Sequence, residues 1–354
     1  MRTVRLGEIA KVERTGVDPS TVPDDTWYLG LEHIERGGGI IGRQTAGEAG
    51  LASNKFTFTS GHILYGKLRP YLGKIAAPNF SGVCSTDILP VLPYERIDKR
   101  YLLHYLRQPG IIGLANTRSS GANLPRLSAG ELLKFEVPLP PLHEQRRVAA
   151  ILDQADALRT KRRTQLAHLD ALPQAIYLSM TQDAAVTSTQ LGNILTFRSG
   201  KFLPTKAQKG GGIPVYGGNG VTGFHHEPMF ATPQVVIGRV GAYCGAVHLT
   251  SGPAWVTDNA LVATTIDPSL NRAYLAAALT SADLNSRKSQ SGQPLISGTR
   301  IADVMIPLLS SQDQQTYADR VATTQTARGI ARQAAQITDA LFASLQSRAF
   351  RGEL

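Results

Sequence analysis

The feature that most constrains this chain is that it repeats itself, in order, over nearly its whole length. Tyr65-Gly66-Lys67-Leu68-Arg69-Pro70-Tyr71-Leu72-Gly73-Lys74-Ile75 aligns without gaps against Ile237-Gly238-Arg239-Val240-Gly241-Ala242-Tyr243-Cys244-Gly245-Ala246-Val247. Val4-Arg5-Leu6-Gly7-Glu8-Ile9 is echoed by Thr189-Gln190-Leu191-Gly192-Asn193-Ile194 before it. After it, Ser85-Thr86-Asp87 answers Val256-Thr257-Asp258, Tyr101-Leu102 answers Tyr274-Leu275, and Ser120-Gly121 answers Ser291-Gly292. Val137-Pro138-Leu139 with Glu144-Gln145 then corresponds to Ile306-Pro307-Leu308 with Asp313-Gln314. A tandem duplication with a period of roughly 170 residues follows, because self-similarity at a fixed period means one folding unit built twice.

Each half divides internally in the same way. The first part is rich in Gly, Pro, Thr and Val, with short β-branched runs such as Phe56-Thr57-Phe58-Thr59, Ile88-Leu89-Pro90-Val91-Leu92 and Gln234-Val235-Val236-Ile237-Gly238. That pattern predicts a mixed, strand-dominated globule with long loops and one short helix, around 99–107 in the first half and 272–280 in the second. Over 142–180 and 311–350, glycine and proline nearly vanish and Ala, Leu, Gln and Arg take over. Each tail predicts a helix of about 38 residues, roughly 57 Å long at about 1.5 Å per residue. The domains expected are therefore 1–141, a globule; 142–180, a central helix; 181–308, a second globule; and 309–354, a distal helix.

A helix of that length has an apolar stripe that one small domain cannot cover. Val148, Ile151, Ala155, Leu158, Gln165, Leu169 and Leu172 follow the alternating three- and four-residue steps of a coiled-coil seam. The second helix offers small residues, Thr324, Ala327, Ala331, Ala334 and Thr338. Large against small predicts that the two tails pair with each other. Halves related by a two-fold axis make that pairing antiparallel, with the globules at opposite ends. The fold class expected is α+β: two tandem mixed α/β domains, each followed by a long helix, the helices forming an antiparallel coiled coil. Pro173 is expected to bend the first helix or end it early.

Charge narrows the function. Thirty-seven Lys and Arg against 27 Asp and Glu leave +10, without an acidic tail or a long basic run, which favours a polyanionic partner and above all nucleic acid. No apolar run approaches the ~18 residues of a membrane span, and Met1-Arg2-Thr3-Val4-Arg5 leads into no signal core, so no membrane is expected and the cytoplasm is the default location. Cys84 and Cys244 form no CxxC pair, which supports neither a disulfide framework nor a Cys-based zinc site.

Recognition of duplex DNA needs cations for phosphates and planar or amide side chains for base edges. Lys67, Arg69, Tyr71 and Lys74 in the first half, and Arg239 and Tyr243 in the second, sit in Gly-punctuated segments where backbone can approach a phosphate. Arg118, Ser119, Asn123 and Arg126 form a polar loop around Gly121; Arg287, Lys288, Gln290, Ser291 and Gln293 form its counterpart around Gly292. Lys201, Lys206 and Lys209, with Asn219, His225 and His226, make a further candidate surface in the second half. Asp87 and Asp258, each after a Thr, suit a turn or cap better than a cytosine amino group, although both chemistries remain open.

Other patterns lead nowhere. Gly61 to Leu68 has phosphate-loop spacing, but Leu68 stands where a magnesium-binding hydroxyl belongs and Pro70 blocks the following helix. Gly37, Gly39 and Gly42 mimic a dinucleotide fingerprint with no apolar-faced helix after it. His225-His226-Glu227 lacks a second ligand cluster, so no metal is expected. Neither an Asn-Pro-Pro-aromatic methyltransferase motif nor a nuclease carboxylate cluster is present, so the chain is not expected to be the catalyst.

These residues carry a resemblance. Pro138-Leu139-Pro140-Pro141-Leu142-His143-Glu144-Gln145, the terminal Ala349-Phe350-Arg351-Gly352-Glu353-Leu354, and Ile213-Pro214-Val215-Tyr216-Gly217-Gly218-Asn219-Gly220 resemble the specificity subunit of type I restriction-modification systems, across essentially the whole chain. The resemblance implies two target recognition domains that read the halves of a bipartite site in double-stranded DNA. It implies spacer helices that set the gap and hold two adenine methyltransferase subunits, whose cofactor is S-adenosylmethionine, and it leaves room for a motor-nuclease subunit. Glu144, Gln145 and Arg146, with Asp313 and Gln314, are then the candidate partner-binding residues. Ser310-Ser311-Gln312-Asp313-Gln314-Gln315 departs from the proline-rich first linker, which implies a different contact at the second helix start. A DNA-binding specificity subunit of another modification or phage-defence assembly is the alternative.

Overall fold

The computed structural model describes residues 2–182, 186–289 and 294–354. It divides into two units, Met1–Arg162 with Ala334–Leu354, and Arg163–Gln333. Each unit therefore combines one globule with a length of both long helices.

In the first unit a four-stranded sheet runs in the order Ala10–Val12, Ile88–Pro93, Ile63–Gly66, Ile75–Ala76. A second sheet joins Trp27–Leu29 in parallel to Gly82–Cys84. Thr3–Arg5 pairs with Glu136–Pro138 just before the long helix. The second unit repeats this plan. Its four-stranded sheet is Leu195–Ser199, Ala260–Thr265, Val235–Gly238, Val247–Leu249, its parallel pair is Ile213–Gly217 with Trp255–Val256, and Ser188–Gln190 pairs with Met305–Pro307. The short helices are Lys99–Leu106 and Arg272–Ser281, each opened by a side-chain cap, Asp98 in one and Asn271 in the other.

The long helices are Leu142–Thr181 and Ser311–Arg351. Pro173 does not end the first. The residues beyond it have a core to enter, since Tyr177 is 1% exposed and Ile176 and Met180 pack on the same cluster. That packing outweighs the backbone bond the proline gives up.

Both helices carry an unbroken three-four seam, but not quite the expected one. The inward positions of the first are Val148, Leu152, Ala155, Arg159, Arg162, Leu166, Leu169, Pro173 and Ile176; those of the second include Gln314, Tyr317, Val321, Thr324, Arg328, Ala331, Ala335, Thr338, Phe342 and Ala349. Leu158, Gln165, Leu172 and Ala327 are exposed. The difference is physical: two inward positions of the first helix are arginines, which can lay an apolar stem in a seam, and the charged head of Arg159 finds carboxylates there. Arg159 bonds Asp156 at 2.6 Å, approaches Asp339 at 3.8 Å and lies 4.2 Å over the Phe342 ring. In the second unit Arg328 pairs with Asp170. Within each unit the helices run antiparallel: Arg159 meets Asp339 while Arg147 donates to the Leu354 carbonyl, and Asp170 meets Arg328 while the Tyr317 hydroxyl donates to the Pro173 carbonyl.

One device fastens helix to globule in both halves. Gln145 is 1% exposed; its Oε1 accepts from the Asp98 N–H at 2.8 Å and its Nε2 donates to the Pro140 carbonyl at 2.8 Å. Gln314, 4% exposed, repeats this with the Asn271 N–H at 2.9 Å and the Leu309 carbonyl at 2.8 Å. The hydroxyls of Tyr101 and Tyr274 donate to the carbonyls of Pro138 and Pro307 beside them. The aromatic filling differs, Phe350 against Tyr101 and Tyr105 in the first unit, Tyr177, Tyr274 and Tyr317 together in the second.

His104 joins the helices in the first unit. It is 2% exposed, its Nε2 lies 2.7 Å from Asp153, and its carbonyl accepts from Gln346 at 3.0 Å. Burial holds its imidazole below the ordinary 6.5 in spite of Asp153.

Replacing Gln145 by Ala strands a buried N–H and a buried carbonyl, and is expected to destabilise by roughly 1–3 kcal/mol in urea unfolding. Arg146→Ala, on the exposed face, is expected to change stability by no more than about 0.5 kcal/mol. Because the folded His104 resists protonation that the unfolded chain accepts, stability is expected to fall as pH drops below about 6.5, with no contribution above it. His104→Gln is expected to flatten that slope, read from unfolding midpoints at about pH 7.5 and about pH 5.5.

Candidate nucleic-acid interface

The sequence marks two loops in each half, and the structure joins them. In the first unit Leu68 bridges Arg126, the Arg69 N–H donates to the Pro125 carbonyl at 2.8 Å, and the Leu127 N–H donates to the Lys67 carbonyl at 2.9 Å. In the second, Val240 bridges Leu295, the Gly241 N–H donates to the Pro294 carbonyl at 3.0 Å, and the Ile296 N–H donates to the Arg239 carbonyl at 2.8 Å. Segments some fifty residues apart are thus clasped in one register in both halves, each beside a turn that carries an acid or amide.

That turn corrects the alignment of Asp87 with Asp258. The Asp87 carbonyl accepts from the Lys67 N–H at 2.9 Å, and the Asn259 carbonyl accepts from the Arg239 N–H at 3.0 Å. Ile88 N–H to Ser85 and Ala260 N–H to Thr257 close the same turn. Asp87 is therefore the counterpart of Asn259, Thr86 of Asp258, and Ser85 of Thr257. A one-residue slip between two short Thr-Asp motifs is invisible in sequence and decided only by backbone pairing.

The charges around the turn also differ. In the first unit Asp87 accepts from Arg126 Nε at 3.2 Å and stands 3.9 Å from Lys67 Nζ. In the second, Leu295 occupies the place of Arg126, and Arg239 donates instead to Ser199 Oγ at 3.0 Å.

Arg69 is singular. It has φ +50°, in the left-handed region, and its counterpart there is Gly241 at φ +73°. A side chain at such a position costs about 1–2 kcal/mol over glycine. Arg69 is exposed, and among the described residues its guanidinium has no partner.

The remaining candidates are dispersed. Tyr71 and Tyr243 are 44% and 51% exposed at matching places. Lys74 is committed to the Leu31 carbonyl at 2.6 Å, and Ser119 to the Ala115 carbonyl at 2.7 Å. Arg118 turns over the Phe135 ring at 5.6 Å and lines a cleft of about 610 Å3 with Arg5 and Lys134. Asn123, Lys201, Asn219, His226 and Lys288 are exposed. His225 is half-buried, with Nδ1 3.0 Å from the Ala207 carbonyl and its ring edge-on to Trp255. Arg287 pairs with Asp303 at 3.3 Å. Gln290, Ser291, Gly292 and Gln293 lie outside the described residues. Glu144, Arg146 and Asp313 are solvent-accessible at the helix starts, where Glu144 and Asp313 favour the positive end of the dipole. Gln145 and Gln314 are buried and hydrogen-bonded inside their own units, which gives them a structural task instead of a partner-facing one.

Sequence reasoning passed over two aromatic groups. Arg43 lies 3.7 Å over Trp27 and 4.9 Å from Phe80. Phe202, beside Lys201, is 72% exposed; a lone Phe between Lys and Leu gives no periodic signal. Among the described residues no group of His, Cys, Asp and Glu is placed to hold a metal, and no helix is long and apolar enough to cross a membrane.

Two copies of one clasped-loop scaffold, each tied to a long helix, define a class of protein, and comparison with known families agrees. The model of the type I restriction modification DNA specificity domain matches residues 1–168 and 185–332, and the chain belongs to that family. Over 182 residues, 50% of the chain, it is 33% identical to the type I restriction enzyme EcoDI specificity subunit of Escherichia coli, and over 204 residues, 52% of the chain, 26% identical to the EcoprrI specificity subunit of the same organism. The matches span 39% and 50% of those relatives' lengths, so the chain corresponds to about half of them or less. The type I restriction-modification S subunit from M. genitalium has a similar fold, with TM-score 0.64 over 99% of this chain and 96% of that one, at 16% identity.

Glycine is expected to suit position 69 better than arginine as far as folding goes: Arg69→Gly should raise stability by about 1 kcal/mol in thermal or urea unfolding, where a surface arginine elsewhere would give no gain.

Proposed function

We propose that this chain is the DNA-recognition and scaffold subunit of a type I restriction-modification complex. Each half reads one part of a bipartite site in double-stranded DNA. The long helices set the separation and receive two adenine methyltransferase subunits, which carry S-adenosylmethionine, and a motor-nuclease subunit completes the restriction form. The chain itself performs no chemistry, and it works in the cytoplasm.

The observation that carries this reading is the repeated clasp. The same two loops meet in the same register in both halves, while the side chains they display differ: Lys67, Arg69, Tyr71 and Arg126 in one, Arg239, Tyr243, Arg287 and Lys288 in the other. A conserved frame with divergent displayed groups suits two half-sites of unlike sequence, since phosphate contacts position a reader and base contacts specify. Holding arginine where glycine fits better supports a task for Arg69 beyond folding. Asn123, Lys201, Asn219, His225 and His226 complete the surface offered to DNA. Glu144, Arg146 and Asp313 are the solvent-accessible candidates at the helix starts for contact with a partner subunit.

Mapping of methylated adenine in host DNA, with and without this gene, tests the reading. A bipartite methylated motif is expected to vanish on deletion; an unchanged methylome overturns it. Duplex binding by the assembled complex is expected to weaken steeply with salt, with a log–log slope near −0.9 per phosphate contact. Arg69→Gly is expected to lower affinity for all duplexes alike and to reduce that slope by about 1.

A further inference from the structure

The second half contains a cleft beside its turn. It has a volume of about 490 Å3 and is walled by Phe202, Pro204 and Gln208 on one side and by Gly217, Gly218 and Thr257–Asp258–Asn259 on the other. The glycine pair opens it. By the pairing of their strands, Tyr216 corresponds to Leu29, since each carbonyl accepts from the first residue of the turn, Thr257 or Ser85. Gly218 therefore corresponds to Leu31, an apolar side chain packed on the neighbouring core. A side chain at 218 would grow against the Asn259 carbonyl, 3.3 Å from its Cβ.

Gln208 and Thr222 at the cleft wall bond each other, but two groups of the turn are left over. Thr257 is 4% exposed, and among the described residues its buried Oγ1 has no hydrogen-bond partner. Leaving a buried hydroxyl unpaired costs free energy, which a ligand atom arriving in the cleft removes. The Asp258 carboxylate is half-buried, and among the described residues it makes no hydrogen bond or ion pair, unlike Asp87, which two cations hold in the first half. Asn259 beside it is exposed, and Phe202 offers an open aromatic face at the rim.

We propose that this cleft reads one cytosine of the half-site addressed by the second domain, with the Asp258 carboxylate accepting from the cytosine N4 amino group in the major groove. This rests on the DNA-reading function proposed above. A free carboxylate is an acceptor only, so it selects a base edge that presents a donor. Cytosine presents on its own major-groove edge only the amino group, with no acceptor of the same base beside it. Adenine places N7 next to its amino group, which repels a carboxylate, and guanine and thymine present O6 and O4, which repel it outright. Thr257 and Asn259 supply the remaining polar contacts, and Phe202 packs at the cleft rim to hold the approach.

The full chain, expressed with its methyltransferase subunits in cells lacking other adenine methylation, is assayed by sequencing the methylated motif. For the wild type, the half-site read by the second domain is expected to contain a required C·G pair. Asp258→Asn, an isosteric change at a carboxylate that makes no hydrogen bond or ion pair among the described residues, is expected to relax that position by roughly ten- to a hundredfold and to move it towards adenine, which an amide reads through N6 and N7. All other positions, including the other half-site, are expected to stay as they are. Phe202→Ala, at an exposed residue, is expected to lower methylation of the whole motif without altering which bases it requires. An Asp258→Asn motif identical to that of the wild type, or a changed position that is not C·G in the wild type, overturns the assignment. Absence of any bipartite motif for the wild type overturns the reading beneath it, and this inference with it.

Discussion

A helix of forty residues has more inward surface than one small globule can cover, and the rest of this structure follows from that constraint. The first helix has 40 residues and the second 41. Each compact unit is completed only by lengths of both helices, so neither globule is closed by its own stretch of chain. Apolar burial alone does not set the arrangement. Midway along, the first helix turns Arg159 and Arg162 inward, and Arg159 is matched by Asp156, Asp339 and the Phe342 ring. A partly buried ion pair of this kind adds little stability, but mispairing would leave its charges desolvated and unmatched. Polar seam positions of that sort specify register in coiled coils.

The junction between helix and globule has been kept while its surroundings drifted. Gln145 and Gln314 make the same two hydrogen bonds, and Tyr101 and Tyr274 donate to equivalent proline carbonyls. A buried amide needs all its partners, so any change there strands several groups together, whereas an aromatic can be exchanged for another if volume is preserved. This is why the departure from the proline-rich linker at 310–315 leaves the second junction intact. Ser310 takes over the cap, its Oγ accepting from the Asp313 N–H at 3.2 Å.

Divergence is concentrated where it alters what the surface offers. Asp87 held by Arg126 and Lys67 makes a neutralised turn; Asn259 beside Leu295, with an Asp258 carboxylate unpaired among the described residues, makes an acceptor-rich one. Leu31 fills the space that Gly218 leaves open. Neither change disturbs the backbone bonds that close the turn, so one frame carries two distinct chemistries.

The sequence by itself determined the duplication, the strand-rich globules, the two long helices and the loops that carry the cations, because repeat order, β-branched runs, the loss of Gly and Pro, and charge are all local signals. It also pointed to Gln145 and Gln314, although for contact with a partner and not for burial. Only the tertiary structure decided which faces of the helices meet. Arginine in a seam reads as surface until its carboxylates are brought to it, and Pro173 reads as a stop until Tyr177 finds its core. The match of Asp87 to Asn259 was likewise a tertiary matter, since a register one residue out leaves composition and spacing almost unchanged while backbone hydrogen bonds admit one answer. So was the cleft beside Asp258: it exists because two glycines, a turn and Phe202, distant along the chain, come together in space.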